Sequence, residues 1–521
     1  MMTGFLRAVN GRLHDGQGKP VLLCGVGLGN WLLPEGYMWK FEPPGPQSPR
    51  EIEELVTDLV GAERAARFWT GFRKRFITDA DLAQIAAEGM NHVRLPINSR
   101  VVLAEGGGFD PDGIALVDWL IDRCRLYGLW VVLDLHGAPG GQTGTNIDDS
   151  PNGRPDLFVE RHYQEQTIAL WQALAARYRD EPVIAGYDLL NEPLPNDYQH
   201  RYAVDLVTLY QELTDAIRAV DPHHLIIYEG THWASNWDIF TEVWDPRSML
   251  QFHRYWSPPD RPGIQRFLDV RDRLNLPIYM GEGGENNLDW LQTAFQLYED
   301  EGISWNFWPW KKVDTFTSPC SVVAPAGWSE VAAYAAGKAD RPDPDRSWHI
   351  LCELLDNVAP SACHYRREVI NALLRRPPLR LPGTGFSFRG AGHSYRTSWA
   401  TPLTEFRSDD QVTIVRSPQA HGRPLDFAHT DGAPRADDDQ LLVQLCPGDW
   451  VSYDVHLAAP SRLQITVRAT GGLTLRLDDE PLAPAESTVT TRGPVATGRH
   501  TLQLIATTDV ILDGLQVTPA S

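Results

Sequence analysis

IAGYDLLNEP, residues 184–193, and PIYMGEGG, residues 277–284, are two apolar runs that each end on a glutamate flanked by proline or glycine. Runs of this length, bounded by turn-forming residues, read as strands buried on both faces. A carboxylate placed where such a strand stops lies at the C-terminal mouth of a parallel barrel, where the catalytic groups of that fold collect. Glu192 and Glu282 are therefore the first candidates for chemistry.

Working outward, six more runs of the same kind appear: VLLCGVGLG from Val21, HVRLPIN from His92, WVVLDLHG from Trp130, LIIYEG from Leu225, MLQFHRYW from Met249 and ISWNFWPW from Ile303. Between them lie amphipathic stretches such as DADLAQIAAEGM and YQEQTIALWQALAARYRD, with apolar residues three and four apart. Eight strands with interleaved helices predict an α/β fold, a (β/α)8 TIM barrel. Its last helix is expected in SWHILCELLDN or HYRREVINALLRR, after a proline-rich loop. Near Pro378 the helical patterning stops. DWVSYDVHL, RLQITVRA, LTLRLDD, HTLQLIA and VILDGLQV then alternate apolar and polar residues, as one-sided strands must. The division expected is a barrel over residues 1–377 and a smaller all-β sandwich over residues 378–521.

Lys and Arg total 47 against 68 Asp and Glu, a net charge of 47 − 68 = −21, which repels nucleic acid. No run approaches a membrane-spanning length, and the opening MMTGFLRAVNGRLHD lacks the apolar core of a secretory leader, so no membrane association and a cytoplasmic location are expected. The six cysteines show no CxxC spacing and predict free thiols, with Cys352 and Cys363 the pair to check for a bond. Histidines and carboxylates show no third ligand at metal-site spacing, so neither a metal nor another cofactor is expected. Nothing in the sequence marks an oligomeric state.

Two carboxyls facing one glycosidic bond can divide the work of hydrolysis, one protonating the departing oxygen and the other attacking or stabilising the anomeric carbon. Asn191 precedes Glu192, and its amide is placed to hold a sugar 2-hydroxyl. His136 in DLHG and His253 in FHRY fall at predicted strand ends, where an imidazole can donate to a sugar hydroxyl. Arg94 sits inside an apolar strand, where a guanidinium is costly unless it faces a carboxylate; it is expected to orient Glu282, with Tyr255 donating a second hydrogen bond to the same group. Trp305, Trp308 and Trp310 crowd the eighth strand, and Trp308 is the candidate platform for a pyranose ring.

In combination, HVRLP, DLHG, NEP, FHRY, GEGG and FWPWK resemble, in order, the motifs of glycoside hydrolase family 5, over roughly residues 1–376. The resemblance implies a retaining β-glycosidase on a TIM barrel, with Glu192 as acid/base and Glu282 as nucleophile, their carboxyls ~5 Å apart. GNWLLPEGYMW and FITDADLAQIAAEGMNHVRLP look more like the exo-β-1,3-glucanase side of the family than its open-cleft cellulases, which would put Glu35 in the wall of a closed pocket. The insert GAPGGQTGTNIDDSPNGRPDLF would wall off one end of a groove, with Asp148 and Asp149 as candidate sugar ligands. Arg254 and Trp256, around the His-x-Tyr motif, depart from the family pattern, so the preferred sugar does not transfer. LCPGDWVSYDVHL and GRHTLQLIATTDVILDGLQV resemble the β-sandwich modules of carbohydrate-binding families 6 and 35.

The reading that follows is a retaining, exo-acting glycoside hydrolase whose partner is a carbohydrate. An endo-β-glucanase or mannanase, or a β-furanosidase acting on arabinofuranosides or galactofuranosides, would use the same site. A carbohydrate-binding protein with an inactive barrel is the reading from a different class.

Overall fold

The computed structural model describes residues 4–417, 424–436, 440–482 and 488–520. The chain separates into two compact units, one formed by Met1–Arg254, Phe267–Gly283 and Ser304–Tyr365, the other by Tyr255–Arg266, Gly284–Ile303 and Arg366–Ser521.

The first unit holds a closed barrel of eight strands. In chain order they are β1 Cys24–Gly27, β2 His92–Asn98, β3 Trp130–Gly137, β4 Ile184–Asp188, β5 Leu225–Glu229, β6 Ser248–His253, β7 Ile278–Gly284 and β8 Ser304–Trp308. Neighbours pair in parallel, and β2 to β7 are buried at every position apart from the half-buried Trp130. That double-sided burial is why these segments read as apolar runs and not as alternating ones. Seven of the eight strands lie within the segments that the sequence predicts, and β6 begins one residue earlier, at Ser248.

Local sequence sets the helix ends. Ser48 and Glu51 form a capping box around Pro49 at the start of Pro49–Val60, which satisfies main-chain donors that the first turn leaves free. Asp110 caps Pro111–Tyr127, and Gly128 closes it at φ 69°, a left-handed conformation that glycine adopts without strain. Of the two segments considered for the last barrel helix, Pro344–Asn357 belongs to the first unit and Arg367–Leu374 to the second.

A feature the sequence does not announce is a small antiparallel sheet of Arg7–Val9, Arg12–His14 and Pro20–Val21. Leu6, Leu13 and Leu23 carry it into a core with Val132, Ala185, Leu225, Ile227, Met249 and Tyr279, closing the N-terminal end of the barrel. Its strands are two or three residues long, too short for a readable period.

The second unit contains the helix Leu288–Asp300 and two antiparallel sheets. In one sheet Val510–Pro519 pairs with Leu463–Thr470, Leu441–Leu445 and Leu379–Pro382. In the other, Gly498–Ala506 lies between Trp450–Leu457 and Leu473–Leu477. The fully buried Arg407 guanidinium stands 3.5 Å from the Phe386 ring centroid and 3.9 Å from that of Phe388. It donates to Asp410 and to the carbonyls of Thr384, Phe386 and Ser387. A buried cation is tolerable because its donors are so matched.

All six cysteines are free thiols. Cys352 and Cys363 form no bond; Cys363 Sγ instead donates to the carbonyls of Asn357 and Val358. Among the described residues no helix is long and apolar enough to cross a membrane.

Candidate active site

Arg94, inside β2 and fully buried, organises the C-terminal mouth of the barrel. Its Nη1 donates to Glu282 Oε1, its Nε to Asp188 Oδ2 at 2.9 Å, and its Nη2 to Asn191 Oδ1 at 2.8 Å and Glu229 Oε1 at 3.1 Å. Asp134 Oδ2 lies 3.2 Å from the same Nη2. One planar fork thus serves residues of β3, β4, β5 and β7 and the loop after β4, which a lysine's single ammonium could not do.

His136, at the end of β3, faces Asp134 through Nδ1 at 2.8 Å and Asn191 Nδ2 through Nε2 at 3.2 Å. Nδ1–H donates to Asp134 and the Asn191 amide donates to Nε2, which fixes the neutral tautomer. Burial pushes the His136 pKa down to about 4, against the pull of Glu282. Trp308 stacks on this ring at 5.5 Å and 5°, and its Nε1 donates to Tyr37 Oη at 3.1 Å. Trp305, Trp308 and Trp310 are all buried, and Trp310 Nε1 donates to Asp81.

His253 ends β6. Its Nδ1 is 2.8 Å from Glu192 Oε1 and 3.7 Å from Glu282 Oε2, and its Nε2 is 3.3 Å from Glu229 Oε1. Burial would depress this imidazole, but the surrounding Glu229, Glu282 and Glu192 carboxyls outweigh it and hold the pKa well above its ordinary value. A doubly protonated ring donating to Glu192 on one side and Glu229 on the other satisfies this geometry. The pairing that places Glu282 beside His253 carries a register shift at Met280/Glu282. Gly281 is required there, since a Cβ at that position would come within 2.2 Å of the Gln251 side chain.

The carboxylate oxygens of Glu192 and Glu282 and a ring nitrogen of His253 all lie within 4.8 Å of one another. Asp134, His136 and Glu282 form a second trio of ligand-type atoms within the same span. In both trios a Glu282 oxygen is already the acceptor for Arg94, so a cation bound there would meet a guanidinium on its own ligand. The set does not fit a metal.

Three residues of the cluster are not among those singled out by motif. Asp188, Glu229 and Gln251 are fully buried polar residues in apolar strands, and Gln251 Nε2 bridges Asp188 and Glu229. Burial pushes Glu229 up to about 8, with Asp188 adding to the rise and His253 opposing it. Asp134 is likewise pushed to about 7 by burial, against Arg94. Asp134 and His136, like Gln251 and His253, are two residues apart on one strand, so the period of two puts each pair on the same face.

Four sequence-predicted residues remain. Glu35 is buried at the start of the 3-10 turn Gly36–Trp39, two residues before Tyr37, which accepts from Trp308. Tyr255 is half-buried in the second unit, its ring 5.5 Å from that of Trp256. Asp148 and Asp149 are buried: Asp148 accepts from the amides of Thr143, Gly144 and Ser150 in its own loop, and Asp149 accepts from the Arg50 amide, Asn98 and Arg100 outside it. They brace one wall of a cavity of ≈ 580 Å³ whose other lining includes Phe109, Tyr163 and Gln166.

The chain is similar to known proteins. Residues 57–314 match the family described as cellulase (glycosyl hydrolase family 5). A β-xylosidase of Phanerodontia chrysosporium is 29% identical over 348 residues, covering 59% of this chain and 71% of that protein. A probable glucan 1,3-β-glucosidase A of Aspergillus fumigatus is 32% identical over 275 residues, covering 50% of this chain and 64% of its own length. The crystal structure of an endogalactoceramidase superimposes with a TM-score of 0.49 at 17% identity, covering 96% of this chain and 99% of that one. With its barrel, its ordered motifs and this match, the chain belongs to glycosyl hydrolase family 5 and is a glycoside hydrolase.

Proposed function

We propose that the enzyme cleaves a β-glycosidic bond with retention, Glu282 acting as nucleophile and Glu192 as acid/base. The observation that carries this is the spacing of the two glutamates, whose oxygens approach within 4.8 Å. Retaining pairs stand about 5–5.5 Å apart, whereas inverting pairs need about 6.5–9.5 Å to admit a water between them.

Arg94 engages Glu282 Oε1, and Oε2, 3.7 Å from His253 Nδ1, is the oxygen we assign to the attack. In the first step Oε2 attacks the anomeric carbon while Glu192 passes a proton to the departing oxygen, giving a glycosyl ester on Glu282. Glu192 is then a carboxylate beside the His253 imidazolium, which stabilises it. In the second step that carboxylate takes a proton from water as the water oxygen displaces Glu282, and both groups return to their starting state. Arg94 supports Glu282 as a leaving group, and Asn191, oriented by Arg94 and His136, has a second amide N–H to meet a sugar hydroxyl.

For the substrate we infer a β-xyloside or β-glucoside released one unit at a time, supported by the names of the two similar proteins. Initial rates on aryl β-glucoside, mannoside, galactoside, xyloside, arabinofuranoside and galactofuranoside, with Glu282→Ala as the blank, test this. Turnover of the xyloside or glucoside supports it. Turnover of a furanoside alone contradicts it, and silence across the panel favours an endo-acting enzyme that needs several occupied subsites.

A further inference from the structure

Glu192 has a main-chain φ of +44°, a left-handed conformation that costs a non-glycine residue about 1–3 kcal/mol and persists only where its surroundings impose it. The group that imposes it is on the neighbouring strand. Glu229, the last residue of β5, accepts the Glu192 amide proton on Oε2 at 2.6 Å. Its other oxygen, Oε1, accepts from Arg94 at 3.1 Å and from Gln251, and lies 3.3 Å from His253 Nε2. His253 in turn reaches Glu192 Oε1 at 2.8 Å. The main chain of Glu229 is fixed as well, its carbonyl accepting from Tyr210 Oη at 3.0 Å.

We propose that Glu229 is a positioning residue for Glu192: one oxygen of its carboxyl group holds the main chain of the acid/base, while the other holds the imidazole that orients its side chain. The proposal rests on the assignment of Glu192 as the proton donor. Because Oε1 also binds Arg94, and Arg94 binds Glu282, the same group fixes the proton donor relative to the nucleophile. Neither the hydrolytic motifs nor the comparisons assign Glu229 a role. Its burial raises its pKa, which agrees with a carboxyl group enclosed among Arg94, His253, Asp188, Tyr210 and the Glu192 amide, with no access to substrate.

The test is a leaving-group split in the full-length enzyme. Glu229→Gln preserves shape but turns one acceptor oxygen into an amide donor, so the Glu192 amide and the donors around Oε1 cannot both be satisfied. Rates are normalised to competent sites, counted by intact-mass labelling of Glu282 with a 2-fluoro glycoside. Per competent site, kcat/KM, which reports the glycosylation step, should fall by about 100-fold on an alkyl β-glycoside, within the range a general acid supplies. On a dinitrophenyl β-glycoside, whose first step needs no acid, it should fall less than about 10-fold. A merely structural loss would lower both equally, and an equal loss overturns the proposal.

Glu192→Ala is the control. If it shows no split, the acid assignment itself fails; if it shows the split and Glu229→Gln does not, only the role of Glu229 fails. Should Glu229→Gln give no labelled sites, Gln251→Ala carries the test, since Gln251 braces Glu229 without touching Glu192. The same split at smaller size supports the proposal, and an even loss contradicts it.

Discussion

His253 Nδ1 meets Glu192 Oε1 at 2.8 Å, so a buried imidazole held in its charged form by three carboxyls orients one of the two glutamates assigned to the chemistry. The arrangement separates their roles. Glu282 answers to Arg94, whose charge does not change, and Glu192 to a histidine that can stabilise it each time it loses its proton.

That division predicts different lesions. Glu282→Ala should abolish turnover of every glycoside. Glu192→Ala should still release a dinitrophenol in the first step, with a loss on alkyl glycosides of about 100- to 10,000-fold. Pre-steady-state release of the aryl group, measured beside steady-state rates, separates the two steps; equal losses on both substrates would contradict the acid role.

Arg94→Lys keeps the charge and loses the fork. Asp188, Asn191, Glu229 and Glu282 each take an N–H from Arg94, and an ammonium cannot reach them all. Leaving buried carboxylates unpaired should cost about 3–5 kcal/mol of stability. Urea unfolding is the measurement, with activity expected to fall even where the variant is folded.

Gly27 and Gly29 make room for Trp308. A Cβ on Gly27 would lie 2.6 Å from Trp308 Cε3, and one on Gly29 2.6 Å from Cη2. Gly27→Ala should displace the indole from its stack on His136, destabilising the protein by about 1–3 kcal/mol and lowering kcat/KM by more than the stability loss explains. Unchanged kinetics would mean that the indole does not face the sugar.

In the second unit, His456 is held down to about 4 by burial, with Arg375 and Arg499 opposing its protonation and Glu299 and Asp454 favouring it. The unfolded chain protonates this histidine near pH 6.5, so between about 6.5 and 4 the unfolded state binds more protons. Its contribution is therefore complete above pH 6.5 and is lost as pH falls towards 4. His456→Gln should be less stable than wild type at pH 7.5, and by pH 4.5 that deficit should shrink by about 2–3 kcal/mol. Denaturant unfolding at the two values checks the sign.

Much of the barrel was legible because each strand is buried on both faces and so stands out as an apolar run. The glutamates were legible because each ends such a run. The polar layer beneath them was not, since Asp188, Glu229 and Gln251 look like single interruptions of apolar strands until the closed barrel turns them towards one another. Asp148 and Asp149 invite the opposite error: exposed-looking in an acidic loop, they are consumed by the amides and arginines that hold that loop. The alternation in Trp450–Leu457 and Leu463–Thr470 reports packing, which is why the sandwich was readable as a fold and mute as a function.

The central claim, double displacement through Glu282, is tested most directly by the configuration of the first sugar released. Proton NMR during the first minutes of hydrolysis of the preferred β-glycoside should show the β-anomer appearing first and the α-anomer growing only by mutarotation. Initial appearance of the α-anomer would mean inversion and would contradict the account.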